Sequence, residues 1–392
     1  MRFTVQRDDL ADAVGWVARA LPARPVIPVL AGLQLRASGS RLTLACFDYE
    51  VSARATVAAE VAVPGTALVP GRLLVEIIRS LPGLPVGFRD DPEGLLLECG
   101  EASFTLVTLA PDDYPELPEV PRLAGTVDGG TLGLAIGQVT PAASKDDTLP
   151  LLTAVNLELA GETLTLAATD RYRMAVRDLG WEPAWAPGDG EAAAILVPAR
   201  TLADAARMMS AGTQVRILLS DATDSAEAMV AFEAGGRRLT TRLLAGEFVR
   251  YRSRFPAQFG CVADLPAVAF TEAVRRVSLV AERGTPVQLS FGPGRVMIAA
   301  ATQGQARARE AVPAEFSGDE PDIAFSPHYL LDGLVAAAAV GGTGEGDAAD
   351  ASPLRVRLQF SGASKPAVIT PCPPAGDDGA FRYLVVPQRL TQ

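Results

Sequence analysis

One pattern occurs three times in this chain, and a unit repeated at such length must be accommodated as tandem domains. Ala13-Val14-x-x-Val17, Ala135-Ile136-x-x-Val139 and Ala273-Val274-x-x-Val277 each open a helical stretch followed by a proline and a β-hairpin. Between the first two copies the register is rigid: Ala13 to Ala135, Pro28 to Pro150 and Asp48 to Asp170 all span 122 positions. The third copy drifts, with Ala135 to Ala273 at 138, Pro150 to Pro286 at 136 and Asp170 to Gln303 at 133.

A second repeated signal divides each copy. Val69-Pro70, Val197-Pro198 and Ser326-Pro327 each precede an apolar-periodic run, with the prolines 128 and 129 positions apart. Proline suits the first helical turn, where its missing N–H would have no partner and its φ is already near helical. Each copy therefore reads as two halves, each a helix plus strands. The period exceeds that of solenoid repeats and matches whole domains of about 130 residues. The expected domains are residues 1–124, 125–256 and 257–392.

Leu33, Leu35 and Leu42, Leu44 alternate about Ser38-Gly39-Ser40. Val155, Leu157, Leu159 and Leu164, Leu166 do so about Ala160-Gly161-Glu162, and Val287, Leu289, Phe291 and Val296, Ile298 about Gly292-Pro293-Gly294. Period-two apolar spacing around a glycine turn predicts antiparallel hairpins with one buried face. Residues 10–21 carry a stripe (Leu10, Val14, Val17, Leu21) able to cover such a face. The fold class is α+β.

The chain has no run of eighteen apolar residues and a charged start, which predicts neither a membrane span nor an export signal. Cys46, Cys99, Cys261 and Cys372 are scattered, so reduced, largely buried thiols are expected rather than a zinc site or disulfides. The single histidine, His328, follows Ser326-Pro327 at a helix start, where a capping or surface role is expected and no triad can form. Gly341-Gly342-Thr343-Gly344-Glu345-Gly346 lacks the lysine of a phosphate loop and reads as an acidic loop. Asp48 and Asp170 recur at equivalent hairpin ends, which marks a turn rather than a catalytic carboxylate. No enzyme and no cofactor is expected.

The net charge of −11 argues on average against a polyanionic partner. The basic residues are nevertheless placed: Arg7, Arg19, Arg72, Arg79, Arg200, Arg207, Arg275, Arg276 and Arg283 lie in or beside the repeated helices, while acidic residues gather in loops such as 90–93, 221–227 and 345–350. From the residues alone these arginines are either solvated helix faces or a phosphate-facing surface.

Arg24-Pro25-x-x-Pro28-Val29-Leu30, Leu149-Pro150-Leu151-Leu152-Thr153, Ala168-Thr169-Asp170-Arg171-Tyr172-Arg173-Met174 and Tyr383-Leu384-Val385-Val386-Pro387-Gln388-Arg389-Leu390 together resemble the bacterial sliding clamp, the β subunit of DNA polymerase III. The resemblance covers nearly the whole chain and is nearest to actinobacterial clamps, where arginine follows the Thr-Asp pair. It implies three tandem clamp domains in each chain and a head-to-tail homodimer whose helices line a channel for duplex DNA, bound without regard to sequence. Arg24, Arg72 and Arg200, and more weakly Lys145, match positions where the family presents basic groups to DNA.

The resemblance also implies a groove for short linear motifs of the polymerase III α subunit, the clamp loader and other clamp-binding proteins. Its wall would comprise Leu152, Thr169, Arg171, Tyr172, Arg173, Met174, Val249, Val385, Val386, Pro387, Arg389 and Leu390. Taken alone, Val385, Val386 and Leu390 read rather as a core strand, and only the resemblance reverses that reading. The chain departs from the family where Val386 replaces a common methionine, Val249 a common proline, and Thr391-Gln392 extend the tail. Those departures are compatible with a specialised or inhibitor-resistant second clamp copy. A scaffold that keeps the groove without encircling DNA is the rival reading. A cytoplasmic, nucleoid-associated location is expected.

Overall fold

The computed structural model describes the chain apart from residues 185–192, 221–226, 283, 303–304, 320–321, 340–353, 373–380 and 390–392. Arg283, Gln303, the glycine-rich stretch 341–346, Leu390 and Thr391-Gln392 thus lie outside the described residues, as does most of the acidic loop at 221–227.

Six α-helices are described, two for each repeat: α1 Arg7–Val17, α2 Gly71–Ser80, α3 Gly129–Val139, α4 Ala199–Ala206, α5 Ala267–Ser278 and α6 Pro327–Ala338. The stripe expected over residues 10–21 outlasts its helix. After Val17 the chain tightens into a 3-10 turn, Ala18–Ala20, and Leu21 is buried beyond it. Nor do all the repeated prolines enter the helix. Pro70 and Pro198 end strands Gly65–Pro70 and Ala193–Pro198, paired with Gly32 and Ala154, and only Pro327 takes the first helical position. Proline's fixed φ suits both places, and a strand's last residue can forgo its N–H when the chain then turns into a helix.

All described strand pairs are antiparallel, and the three predicted hairpins form in register: Leu35 faces Leu44, Leu157 faces Leu166, and Leu289 faces Ile298. Their turns need glycine, because Gly39, Gly161 and Gly294 hold φ of 60°, 55° and 71°. The alternating leucines are fully buried, each contributing about 1.5–3 kcal/mol of burial free energy.

The chain forms two compact units. The first comprises Met1–Gly130, Glu182–Trp185 and Arg207–Leu243. It contains a five-stranded sheet and a nine-stranded sheet, with α1 packed on α2 and on strands Arg41–Phe47 and Val51–Ala58. The second comprises Thr131–Trp181, Ala186–Ala206 and Leu244–Gln392. It contains the other nine-stranded sheet and a four-stranded one, with α5 packed on α6.

The central repeat contributes strands to both units because hydrogen bonding runs on between repeats. In the first unit Arg237–Arg242 pairs with Val51–Ala58, Leu239 facing Ala53. In the second Arg173–Gly180 pairs with Phe381–Val385, Arg173 facing Val385. The second of these seams builds the site described next.

Candidate peptide groove and basic surface

The site begins with a turn. Strand Thr163–Thr169 passes into Arg173–Gly180 through Asp170-Arg171-Tyr172. Asp170 Oδ1 accepts the backbone N–H groups of Tyr172 and Arg173, each at 3.0 Å, and Thr169 Oγ1 donates to the Arg173 carbonyl at 2.6 Å. These bonds hold Arg171 at φ 80°, a conformation costly for a residue with a Cβ. The first repeat builds the same turn: Asp48 Oδ1 accepts from Glu50 and Val51 at 3.0 and 2.7 Å, and Tyr49 has φ 76°. The paired aspartates are therefore turn-makers, as their equivalent spacing predicted.

Behind the turn, the buried Arg173 guanidinium bonds Asp170 Oδ2 through Nε at 3.0 Å and Asp332 of α6 through Nη1, and lies 4.6 Å from the Tyr329 ring centroid. Burial opposes its charge, but Tyr383, Asp332 and Asp170 outweigh that penalty and raise the Arg173 pKa further. Tyr172 stacks on Tyr329 at 6.2 Å. The turn is thus clamped to α6 by one ion-pair network and one ring pair.

Beside it lies an apolar cluster of Ala167, Met174, Val176, Tyr251 and Leu384, with Phe248, Phe255 and Val386 packed against it partly buried. The tail is strapped across by two backbone bonds, Val386 N–H to the Tyr172 carbonyl (2.8 Å) and Gln388 N–H to the Ala324 carbonyl (2.7 Å). Of the residues expected to wall a groove, Met174 and Val386 meet in this cluster, and Val385, Arg173 and Tyr172 adjoin it through the strand pair and the strap. Leu152, Thr169, Arg173, Met174 and Val385 are buried, Val386 and Pro387 half-buried, and Arg171, Tyr172, Val249 and Arg389 exposed. Leu152, Val249 and Arg389 are not part of the cluster.

Several contributors escaped the sequence reading. Tyr251, Phe248, Phe255 and Leu384 complete the apolar floor, and Tyr329 and Asp332 of α6 fix the turn. A neighbouring cavity of about 580 Å³ is lined by Tyr172, Thr285, Ser326, His328, Tyr329 and Gln388. His328 shares a 2.9 Å hydrogen bond with Ser326 Oγ, and burial together with Arg173 lowers its pKa below the ordinary value.

The basic residues divide into two groups. Arg7 donates to the Arg79 and Leu81 carbonyls at the end of α2, Arg275 pairs with Glu272, and Arg276 bonds Glu310 through two nitrogens, so these three are committed to structure. Arg24, Arg72, Lys145 and Arg200 are exposed, and among the described residues none has a carboxylate at salt-bridge distance. In the first unit Arg72 lies in the first turn of α2 and donates to the Pro22 carbonyl at 3.3 Å, drawing it to the loop that carries Arg24. In the second unit Arg200 lies on α4, which packs against the 3-10 turn Thr140–Ala142 just before Lys145.

Comparison with known proteins decides the family. Models of the N-terminal, central and C-terminal domains of the DNA polymerase III beta subunit match residues 1–118, 126–249 and 252–340. The chain belongs to that family, the bacterial sliding clamps. It is 46% identical to the beta sliding clamp of Streptomyces coelicolor over the whole of both chains. It is 40% identical, again over the whole of both, to the beta sliding clamp homolog GriR of Streptomyces muensis. A crystal structure of the Pseudomonas aeruginosa sliding clamp bound to griselimycin superposes with a TM-score of 0.86 at 27% identity, covering all of both chains. Three tandem clamp domains, the α+β class and the likeness to actinobacterial clamps are thereby borne out.

Proposed function

We propose that two copies of this chain close head to tail around duplex DNA, and that the Met174–Val386 cluster receives the linear motifs of polymerase and repair proteins. The observation that carries this reading is the match of all three clamp domains, in order, to a chain whose exposed basic residues Arg24, Arg72, Lys145 and Arg200 have no carboxylate at salt-bridge distance among the described residues. Domain limits at 1–124, 125–256 and 257–392 are part of the proposal; the first junction lies between the first two matched segments, within strand Arg122–Asp128, and the second lies a few residues inside the third matched segment. Strands Ala102–Leu106 and Ala306–Pro313 are edges of their sheets, and exposed edges call for a partner. Head-to-tail closure of two copies would pair them.

The polymerase III α subunit, the clamp loader and other clamp-binding-motif proteins are the proposed partners, and the role is tethering rather than catalysis. Among the described residues no helix is long and apolar enough to cross a membrane. A cytoplasmic, nucleoid-associated location is part of the proposal.

Retention on DNA tests the ring. Loaded protein should stay on nicked circular DNA in salt that abolishes ordinary phosphate contacts, and should run off once the circle is linearised. Equal loss from circles and linear DNA would sink the ring. Replacing Arg24, Arg72 and Arg200 together by glutamate should reduce loading while leaving the fold intact, because exposed charges contribute little to stability. If the triple variant loads like the parent, these side chains do not face DNA.

A second reading, a specialised clamp that discriminates against pocket-directed inhibitors, is favoured by the place of Val386. It packs on the Met174 cluster where the family commonly has the more adaptable methionine, whereas Val249 is 44% exposed. Val386→Met should therefore carry most of any gain in affinity for general replication peptides or griselimycin, and Val249→Pro little. A gain of more than about 1 kcal/mol, beyond a methyl-scale packing change, would support specialisation. Equal anisotropy titrations for parent and double variant would mark an ordinary replicative clamp.

A further inference from the structure

Independently of the ring, the nine-stranded sheet of the first compact unit gathers positive charge on the face turned away from α1. The other face meets that helix: Cys46 donates to the Val17 carbonyl at 3.3 Å, and Arg237 pairs with Asp12. Side chains alternate along a strand, so Thr43, Ala45, Arg54 and Arg238, at the alternate positions, point away from α1. Arg54 stands directly opposite Arg238, and Arg36 lies across strand Arg41–Phe47 from them, opposite Thr43.

Like charges directly opposite in a sheet are unfavourable, and here they are only partly answered. Glu233 takes Arg238 through two nitrogens, at 2.9 and 2.7 Å, and Arg216 through one, at 3.2 Å. Arg36 and Arg54 are exposed, and among the described residues neither has a carboxylate at salt-bridge distance. Burial first, and then Arg238 and Arg36, lower the Arg54 pKa below its ordinary value. The local field is therefore positive in a chain whose net charge is −11. The segment carrying Leu109 and Tyr114 packs on Leu68 at the neighbouring end of this face, yet its Asp112 and Asp113 make no ion pair with either arginine among the described residues.

We infer that the face around Arg36, Arg54 and Arg238 is a docking surface for a short acidic segment of a partner protein. Guanidinium forks match carboxylates with paired hydrogen bonds. Between Arg36 and Arg54 the floor is low and hydroxylated, formed by Ala45 with Thr43 and Thr56, whose hydroxyls lie 3.5 Å apart, so an extended chain can approach and find further donors. A nucleic acid suits the face less well. Glu233 would set a carboxylate against its phosphates, and no aromatic ring stands among these described positions to stack a base.

The probe for the full-length protein is a fluorescein-labelled peptide of alternating aspartate and serine, whose carboxylates share one side when extended. The same peptide with asparagine for aspartate, and an oligothymidylate, are its comparisons. By anisotropy at low ionic strength the acidic peptide should bind and the asparagine peptide should not. Arg36→Gln with Arg54→Gln should weaken the acidic peptide by about tenfold or more, the loss expected when a charge-assisted hydrogen bond goes. Arg254→Gln with Arg295→Gln removes the same charge from exposed positions of the second unit and should leave binding unchanged. Circular dichroism and clamp-peptide affinity report whether each variant is folded. Arg54→Gln alone relieves the apposition to Arg238, so it should fold and still weaken binding by about threefold. The proposal is overturned if the acidic peptide fails to bind, if it binds the parent and the Arg36→Gln, Arg54→Gln variant alike, if the asparagine peptide binds as well, or if the second-unit variant weakens binding equally. Tighter binding of oligothymidylate than of the acidic peptide, lost with Arg36 and Arg54, would overturn it in favour of a nucleic acid.

Discussion

Replacing Arg173 by alanine should destabilise the second compact unit by about 3 kcal/mol, because it leaves a largely buried carboxylate without its counterion. Arg173 is buried between Asp170 and Asp332, and the Asp170 side chain is only 12% exposed. The two carboxylates are not equivalent. Asp332 is 42% exposed and can be rehydrated, so Asp332→Ala should cost under about 1 kcal/mol. Asp170 keeps the N–H bonds of Tyr172 and Arg173 on Oδ1 but loses the charge that faces Oδ2. Arg173→Lys should rescue only partly, since an ammonium cannot span two carboxylates with a fixed fork.

Hydrogen exchange over residues 163–180 is the suitable measurement, because a chain with two compact units is not expected to unfold in one step. Loss of protection there, with strands 32–38 and 41–47 of the first unit unchanged, is the expected pattern. A change below about 1 kcal/mol would show that Arg173 is solvated in solution and free to act in the groove wall. The network thus assigns Arg173 a positioning role: it holds the turn that presents Tyr172, and does not itself line the apolar cluster.

What could be read from the sequence was local. The hairpins announced themselves through alternating leucines around Gly39, Gly161 and Gly294, and the equal spacing of Asp48 and Asp170 predicted one turn built twice. The positive φ of Tyr49 and Arg171 left no trace, because neither residue type signals that conformation. The reach of the sheets was equally hidden. Leu239 faces Ala53 and Arg173 faces Val385, pairings between distant segments that no periodicity records. For the same reason Tyr251, Phe248 and Leu384 could not be assigned to the site beforehand. Each looks like an ordinary core residue until the strand from the chain's end is laid beside Arg173–Gly180. Burial also separates Arg173, whose charge is consumed internally, from Arg171, which remains exposed. Two arginines one residue apart in one motif gave no hint of that difference.

The largest functional effect should come from the tail. Truncation after Val385 removes the half-buried Val386 and both backbone straps, to the Tyr172 and Ala324 carbonyls, yet leaves strand Phe381–Val385 paired on both sides. The sheet and its buried Val385 therefore persist, and the protein should still fold, dimerise and be retained on circular DNA. Peptide binding should fall by about a hundredfold or more, because a buried apolar anchor and the wall that excludes water from it are lost together. Val386→Asp should approach the same loss by placing a charge against Met174, Tyr251 and Leu384. Arg389→Ala should do far less, since Arg389 is exposed and outside the cluster. Anisotropy titration of a labelled clamp-binding peptide distinguishes these outcomes. If the truncated chain binds the peptide like the parent, the motif docks elsewhere on the clamp and the Met174 cluster is simply core. If Arg389→Ala matches the truncation, the decisive contact is the guanidinium and the groove recognises peptide charge before peptide shape.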